Sequence, residues 1–145
     1  MSSITYRYGH DLDLDDVLDV YRDSSLGARR PIDDRQIAAQ MLAHANLVVT
    51  AWDGPTLVGI ARTLTDFGYV GYLADLAVRD AYQRRGIGTA LIEMTRSRMG
   101  PRSMLVLLAA PAATDYYPRI GFRPHPSAWI LDAGDPFPAA RSGVP

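Results

Sequence analysis

The feature that most constrains the fold is a strand, a glycine-containing loop, a helix and a second strand in the middle of the chain. A β-rich run over residues 69–78 precedes the loop, and apolar residues from Ile87 to Met94 line one side of a helix pattern that stops at Gly100 and Pro101. Residues 104–109 lack polar alternation, as expected of a strand covered on both faces. Strands joined through a helix pair in parallel. The sequence therefore predicts a β-α-β unit.

The residues before this unit alternate between strand and helix patterns. Apolar residues at every second position predict strands, and apolar residues at i, i+3 and i+4 predict amphipathic helices. The predicted elements are a strand over residues 4–8, a helix from Asp13, a second helix after Asp34 that ends between His44 and Asn46, and a hairpin of residues 47–52 and 56–61. With the run over 69–78, the hairpin forms an antiparallel meander. The predicted fold class is α/β with a mixed, mostly antiparallel sheet.

Length and composition indicate one domain and exclude several kinds of site. The 145 residues suit a single domain over residues 1–132, and residues 133–145 form a tail rich in Pro, Gly and Ala. Without cysteine the chain has neither disulfides nor a cysteine-based zinc site, and its three histidines lack metal-ligand spacing, so we expect no metal. A final strand is expected around Trp129, Ile130 and Leu131.

Charge and the N-terminal sequence restrict the partners and the location. Fifteen Lys and Arg against 16 Asp and Glu leave a net charge of −1, which indicates neither a nucleic acid nor an anionic membrane as a partner. The apolar runs are far shorter than a membrane span. The first residues lack the basic start and apolar stretch of a signal peptide, so we expect a cytoplasmic protein.

The loop Gln83-Arg84-Arg85-Gly86-Ile87-Gly88 carries the clearest functional signal. Two close glycines allow a tight turn that directs several backbone N–H groups to one point at the positive end of the helix dipole. Arg84 and Arg85 add charge, so the loop suits a pyrophosphate; the alternative is a turn that only reverses the chain. A P-loop and a dinucleotide-binding fingerprint are excluded, because Ala90 and Leu91 stand where those motifs need Ser or Thr and a third Gly.

The same residues resemble a known family. Leu76-Ala77-Val78 followed by Gln83-Arg84-Arg85-Gly86-Ile87-Gly88 is similar to the acetyl-CoA signature of the GCN5-related N-acetyltransferases, the GNAT family. Tyr117-Pro118-Arg119-Ile120-Gly121-Phe122 resembles that family's Tyr-x-x-x-Gly-Phe segment, and the order of elements from residue 4 to 131 resembles its fold. The resemblance implies acetyl-CoA as co-substrate and direct attack by an acceptor amine, with no covalent enzyme intermediate.

The resemblance also implies individual site residues. The residues implied in acetyl-CoA binding are Leu76, Ala77, Val78, Gln83, Arg84, Arg85, Gly86, Ile87, Gly88 and Thr89. Tyr117 matches the family tyrosine that protonates the departing thiolate, and its alternative role is aromatic packing. Asp75 stands where many relatives carry a catalytic Glu. It is either the general base, directly or through water, or a buried carboxylate paired with an arginine.

Acceptor recognition is expected from segments outside the loop. The candidates are Arg29, Arg30, Asp66, Tyr69 and Trp129. Arg29 and Arg30 either bind an acidic group of the acceptor or are ordinary solvated charges. The predicted function is transfer of an acetyl group to a primary amine of a small molecule or peptide. The alternative, suggested by the short Asp75 side chain and by Pro118, is a non-catalytic CoA-binding or protein-interaction module. Relatives often dimerise, and the strand around Trp129 suits pairing in a homodimer.

Overall fold

The computed structural model describes residues 3–138, which divide into a unit ending at Ala109 and a second unit starting at Ala110. The first unit contains a five-stranded sheet in the order β1-β2-β3-β4-β5. Its elements are β1 (Ile4–Tyr8), α1 (Leu14–Arg22), α2 (Arg35–Ala43), β2 (Leu47–Asp53), β3 (Thr56–Thr65), β4 (Val70–Val78), α3 (Ile87–Ser97) and β5 (Met104–Val106). Short 3-10 turns cover Ser25–Arg29 and Asp80–Tyr82. Pairing is antiparallel from β1 to β4, and β4 and β5 are parallel.

The core lies on both faces of this sheet. Apolar residues of α1 and α2, including Val17 and Leu42, form one buried cluster with Ile60 of β3. The neighbouring residue, Gly59, faces the other side, where a Cβ would lie 3.3 Å from Leu91 Cδ1 of α3. Consecutive strand residues project from opposite faces, so α3 covers the face that α1 and α2 leave open.

A β-bulge at Ala74 changes which face of β4 each side chain occupies. In the register with β3, Thr63 pairs with Leu73 and Arg62 pairs with Asp75, so Ala74 is the extra residue. The extra residue reverses the alternation of the strand. Leu73 therefore shares a face with Thr63, whereas Asp75 shares a face with Arg62 on the side of α1 and α2.

The strand β5 is shorter and more exposed than the sequence predicts. It pairs with β4 only from Val70 opposite Met104 to Tyr72 opposite Val106. Met104 and Val106 are 48% and 43% exposed, so the expectation of a strand covered on both faces over 104–109 is wrong. The physical reason is that α3 packs mainly against β2, β3 and β4, whereas β5 lies at the edge of the sheet. The edge of β4 beyond Tyr72 consequently has no strand partner among residues 3–138.

The second unit contains a 3-10 turn at Pro111–Ala113 and a short helix, α4 (Tyr116–Arg119). Pro118 lies in the first turn of α4, where the missing N–H removes no helical hydrogen bond. The predicted strand around Trp129 is absent, because a strand needs a pairing partner and none lies in the described part of this unit. Residues 132–138 contain no helix or strand, and the rest of the predicted tail lies outside the described residues. The single domain over 1–132 stays a prediction.

Candidate active site

The loop between β4 and α3 has an unusual backbone conformation. Arg84 and Gly86 both adopt positive φ angles, 63° and 78°. A left-handed conformation is uncommon for a residue with a side chain, and its recurrence near a helix start turns successive N–H groups toward one side. The Gln83 side chain links the loop to the end of β4, since its Nε2 donates to the Val78 carbonyl at 3.1 Å. The loop thus forms a concave surface of backbone donors.

The start of α3 adds the positive end of a helix dipole to this surface. The carbonyl of Gly86 accepts the first helical hydrogen bond, from Ala90 N at 3.0 Å. In such a helix the N–H groups of Ile87 and Gly88 have no intrahelical acceptor. The first turn carries no acidic residue, unlike that of α1, which has two. The site is therefore suited to an anion.

The space above the loop is open and positively charged. A Cβ on Gly86 would meet no atom within 4 Å. Arg84 and Arg85 are exposed, and the Arg85 guanidinium lies 5.2 Å from the centre of the Tyr82 ring. Thr89, in the first turn of α3, is exposed as well. Two cations and a row of backbone donors thus face solvent at one end of the sheet.

The free edge of β4 leads directly into this loop. Leu76, Ala77 and Val78 pair with β3 on one side, opposite Ala61, Ile60 and Gly59. On the other side β5 has already ended, so the two parallel strands separate. An unpaired strand edge presents N–H and C=O groups that can bind an extended ligand as an added strand.

Asp75 is the centre of a buried ion-pair cluster. Its side chain is fully buried, and it accepts hydrogen bonds from Arg30 Nε, Arg62 Nε and Tyr21 Oη, each at 2.6 Å. Burial alone would raise the pKa of Asp75, but the hydrogen bond and charge of Arg62, helped by Tyr21 and Arg30, outweigh it and lower the pKa below its ordinary value. Burial and the Asp75 charge raise the pKa of Tyr21.

These contacts favour the ion-paired interpretation of Asp75 over the general base. A carboxylate with a lowered pKa is a weak base, and its two oxygens are occupied by three donors. Arg62 also donates from Nη1 to the Met41 carbonyl at 3.2 Å. The sequence analysis missed Arg62 and Tyr21. Arg62 did leave a signal, since it follows the apolar run 56–61 as a charge inside a strand.

The acceptor candidates of the first unit occupy different environments. Arg29 is exposed, whereas Arg30 is fixed by Asp75 and donates from Nη2 to the Ala74 carbonyl at 2.8 Å. Asp66 shapes the turn between β3 and β4: its Oδ1 accepts the N–H groups of residues 68, 69 and 70, and these bonds lower its pKa. Tyr69, next to that turn, is 64% exposed. The structure thus brings Arg30 and Asp75 together and keeps Asp66 apart in its turn.

Tyr117 and Trp129 belong to the second unit. Tyr117 is partly buried, with its ring edge-on to Phe122 at 5.4 Å between ring centres. Burial, and then the neighbouring Tyr116, raise the pKa of Tyr117. Trp129 is 93% exposed. Within residues 3–138 no three acidic or histidine side chains are grouped as a metal site would require.

The comparison with protein families identifies the chain. Residues 20–136 match the model of the acetyltransferase (GNAT) domain. Since this match spans most of the sequence, the chain belongs to the GNAT acetyltransferase family, and the resemblance inferred from the sequence is confirmed. A search of the curated proteins found no significant match. None of the described helices has both the length and the apolar character needed to cross a membrane.

Solved structures confirm the fold class. A protein from meticillin-resistant Staphylococcus aureus, named a probable acetyltransferase, superposes with a TM-score of 0.72 at 22% identity, over 90% of this chain and 98% of that one. A GNAT-family acetyltransferase from Streptococcus pneumoniae TIGR4 gives 0.69 at 25% identity, over 89% and 98%. The aminoglycoside N-acetyltransferase AAC(6')-Iy, solved in complex with CoA, gives 0.70 at 17% identity, over 91% and 95%.

Proposed function

We propose that this protein is an N-acetyltransferase that transfers the acetyl group of acetyl-CoA to a primary amine of a small molecule or peptide. The observation that carries the proposal is the loop over residues 83–88, whose two left-handed residues and helix start form an open anion site beside the free edge of β4. Family membership and the similarity to a CoA-bound acetyltransferase support the same assignment.

The residues present fit acetyl-CoA as the co-substrate. The backbone N–H groups of residues 84–89 hold the pyrophosphate, with Arg84 and Arg85 adding charge. The free edge of β4 at residues 76–78 binds the amide-containing pantetheine arm through main-chain hydrogen bonds. Because β5 ends at Val106, the gap between the two strands admits the thioester. The thioester supplies the activated acetyl group, so the chain needs no thiol nucleophile of its own.

Proton transfers complete the proposed reaction. The neutral amine attacks the acetyl carbonyl carbon, the carbon–sulfur bond breaks, and the thiolate takes a proton from the Tyr117 hydroxyl. Solvent then returns a proton to the Tyr117 phenolate, which restores the enzyme. The attacking nitrogen loses its proton to water, because Asp75 is fully buried and its oxygens are occupied. Burial raises the pKa of Tyr117, which keeps the phenol protonated at neutral pH but makes it a weaker acid, so the proposed transfer requires a direct hydrogen bond from the hydroxyl to the departing sulfur.

Calorimetric titration with CoA and a thiol-release assay over a panel of amines test this function. We expect saturable CoA binding and turnover of at least one amine. Tyr117→Phe removes the proton donor and lowers kcat by about 100-fold with the CoA affinity retained. Tyr116→Phe is the matched control, because it removes the adjacent phenol hydroxyl. Absence of CoA binding contradicts the proposal, and tight binding without turnover favours the non-catalytic module.

The cytoplasmic location and the homodimer stay predictions. The exposed side chains of Trp129, Ile130 and Leu131 supply apolar surface for pairing of two chains. Light scattering during size-exclusion chromatography measures the number of chains in the particle. A particle of one chain across the concentration range contradicts the homodimer.

A further inference from the structure

The cluster around Asp75 carries more positive than negative charge. Arg30 and Arg62 share the single carboxylate of Asp75, and Tyr21 donates to that carboxylate as well. No other acidic side chain lies within ion-pair distance of either arginine in the described part of the chain. Backbone carbonyls of residues 29, 41 and 74 accept the remaining donations. A buried net charge is costly, so a further anion would stabilise this cluster.

Arg30 is the member of the cluster that a ligand can reach. Its side chain is 21% exposed, compared with 10% for Arg62 and none for Asp75. Nε and Nη2 hold the guanidinium against Asp75 and the Ala74 carbonyl, and Nη1 donates to the Arg29 carbonyl at 3.0 Å. A guanidinium has more N–H donors than these three bonds use. Its orientation is set in advance, which reduces the entropy lost on binding an anion.

The position of Arg30 places it beside the gap between β4 and β5. Ala74 and Asp75, which hold Arg30, lie just beyond Tyr72, where the pairing with β5 ends. Leu64 is two residues from Arg62 on β3 and projects from the same face, and it pairs with Tyr72. Leu64 and Tyr72 are 41% and 39% exposed. Leu64 and Tyr72 thus form an apolar surface on the same face of the sheet as Asp75, which holds the partly exposed Arg30.

We infer that the acceptor amine carries an anionic group, a carboxylate or a phosphate, which binds Arg30 while the apolar part of the acceptor lies on Leu64 and Tyr72. This inference rests on the proposed function and names the class of substrate. Arg29, exposed and adjacent, strengthens the positive potential at this point. Asp75 is then a positioning residue that acts through Arg30.

Matched pairs of amines test the inference in the wild-type protein. Glycyl-leucine and its C-terminal amide differ in the carboxylate, and O-phosphoethanolamine and ethanolamine differ in the phosphate. We expect the anionic member of at least one pair to have a kcat/KM about tenfold or more above its neutral partner, as one charge-assisted hydrogen bond provides. The dipeptide pair measures the preference for a carboxylate, and the ethanolamine pair measures the preference for a phosphate. Where no amine is turned over, calorimetric affinity for the CoA complex replaces kcat/KM.

Two variants locate the effect. Arg30→Met reduces the preference for the anionic member, taken as the ratio of the two kcat/KM values measured in the same variant, to about threefold or less. Arg102→Met removes an exposed charge elsewhere and leaves the preference unchanged. CoA affinity verifies that each variant is folded, and the wild-type comparison stands if Arg30→Met does not fold.

The outcomes separate this inference from the proposed function. CoA binding with equal use of both members of each pair overturns the inference and leaves the acetyltransferase assignment intact. Failure of every anionic amine to bind the CoA complex also overturns it. A preference that survives Arg30→Met overturns the role of Arg30. Absence of CoA binding overturns the proposed function itself and the inference with it.

Discussion

Replacing Asp75 by asparagine removes the charge at the centre of the buried cluster while nearly preserving the size of the side chain. In the wild type, Arg30, Arg62 and Tyr21 all donate to the carboxylate. The asparagine amide has one oxygen acceptor and places N–H groups where the second carboxylate oxygen stood. Two guanidinium groups then remain in a largely buried place without a counter-charge.

The expected loss of stability is large because a buried partner is removed. Removal of one partner from a buried ion pair costs about 3–5 kcal/mol in the free energy of unfolding. For a chain of this size that corresponds to a fall in Tm of roughly 10–16 °C. Asp75 and Arg62 count as a buried ion pair, because their side chains are 0% and 10% exposed.

The pH dependence gives the prediction a sign. The pKa of Asp75 is lower in the folded chain than in the unfolded one. Its stabilisation is therefore complete above the unfolded-state pKa, about 4, and is lost as the pH falls through the folded-state pKa. In urea unfolding, the difference in the free energy of unfolding between wild type and Asp75→Asn should be constant from pH 7 to about 5 and smaller below about pH 4.

A surface ion pair of the same length provides the control. Asp15 and Arg35 are also 2.6 Å apart, but their side chains are 72% and 61% exposed. Asp15→Asn should leave Tm within experimental error. A difference below about 1 kcal/mol between wild type and Asp75→Asn at pH 7 would refute the reasoning, since a buried pair exceeds that value. A difference in unfolding free energy that stays unchanged below about pH 4 would also contradict it.

Two glycine substitutions test the backbone of the site. Gly86→Val should weaken CoA binding, because the branches of the valine side chain obstruct the approach of phosphate to the loop. Gly54→Val, at a similar positive φ in the β2–β3 turn, is the control and should leave the calorimetric CoA affinity unchanged. Equal CoA affinities for both variants contradict the loop assignment. Gly27→Ala should lower the unfolding free energy by about 1–3 kcal/mol in urea, because its Cβ would lie 2.5 Å from the Tyr21 carbonyl oxygen; an unchanged midpoint contradicts this close packing.

The regular elements of the first unit were predictable because each pattern depends on neighbouring residues. The strand over Ile4–Tyr8 and the helices α1 and α2 follow from hydrophobic periodicity and from Asp13 and Asp34, whose side chains cap the two helices. The loop before α3 was predictable from its glycines. The left-handed conformation of Arg84 was not, because nothing in the residue type requires it.

Three features depended on contacts that a linear pattern does not contain. The apolar run over 104–109 indicates burial but does not say which surface covers it, and β5 ends at Val106. The residues around Trp129 have strand composition, yet pairing requires a partner strand. The bulge at Ala74 leaves no signal in the sequence. Burial alternates along β4 through Ala74 as it would in a regular strand, so the hydrophobic pattern does not reveal the extra residue.

By itself the sequence determined the family and the β-α-β unit with its glycine-containing loop, since these depend on periodicity and on a short contiguous motif. Only the tertiary structure decided the environment of Asp75. Its partners Tyr21, Arg30 and Arg62 are 54, 45 and 13 residues away along the chain. Whether a carboxylate serves as a base or as a buried counter-charge depends on the donors and the water around it, and folding alone brings those donors together.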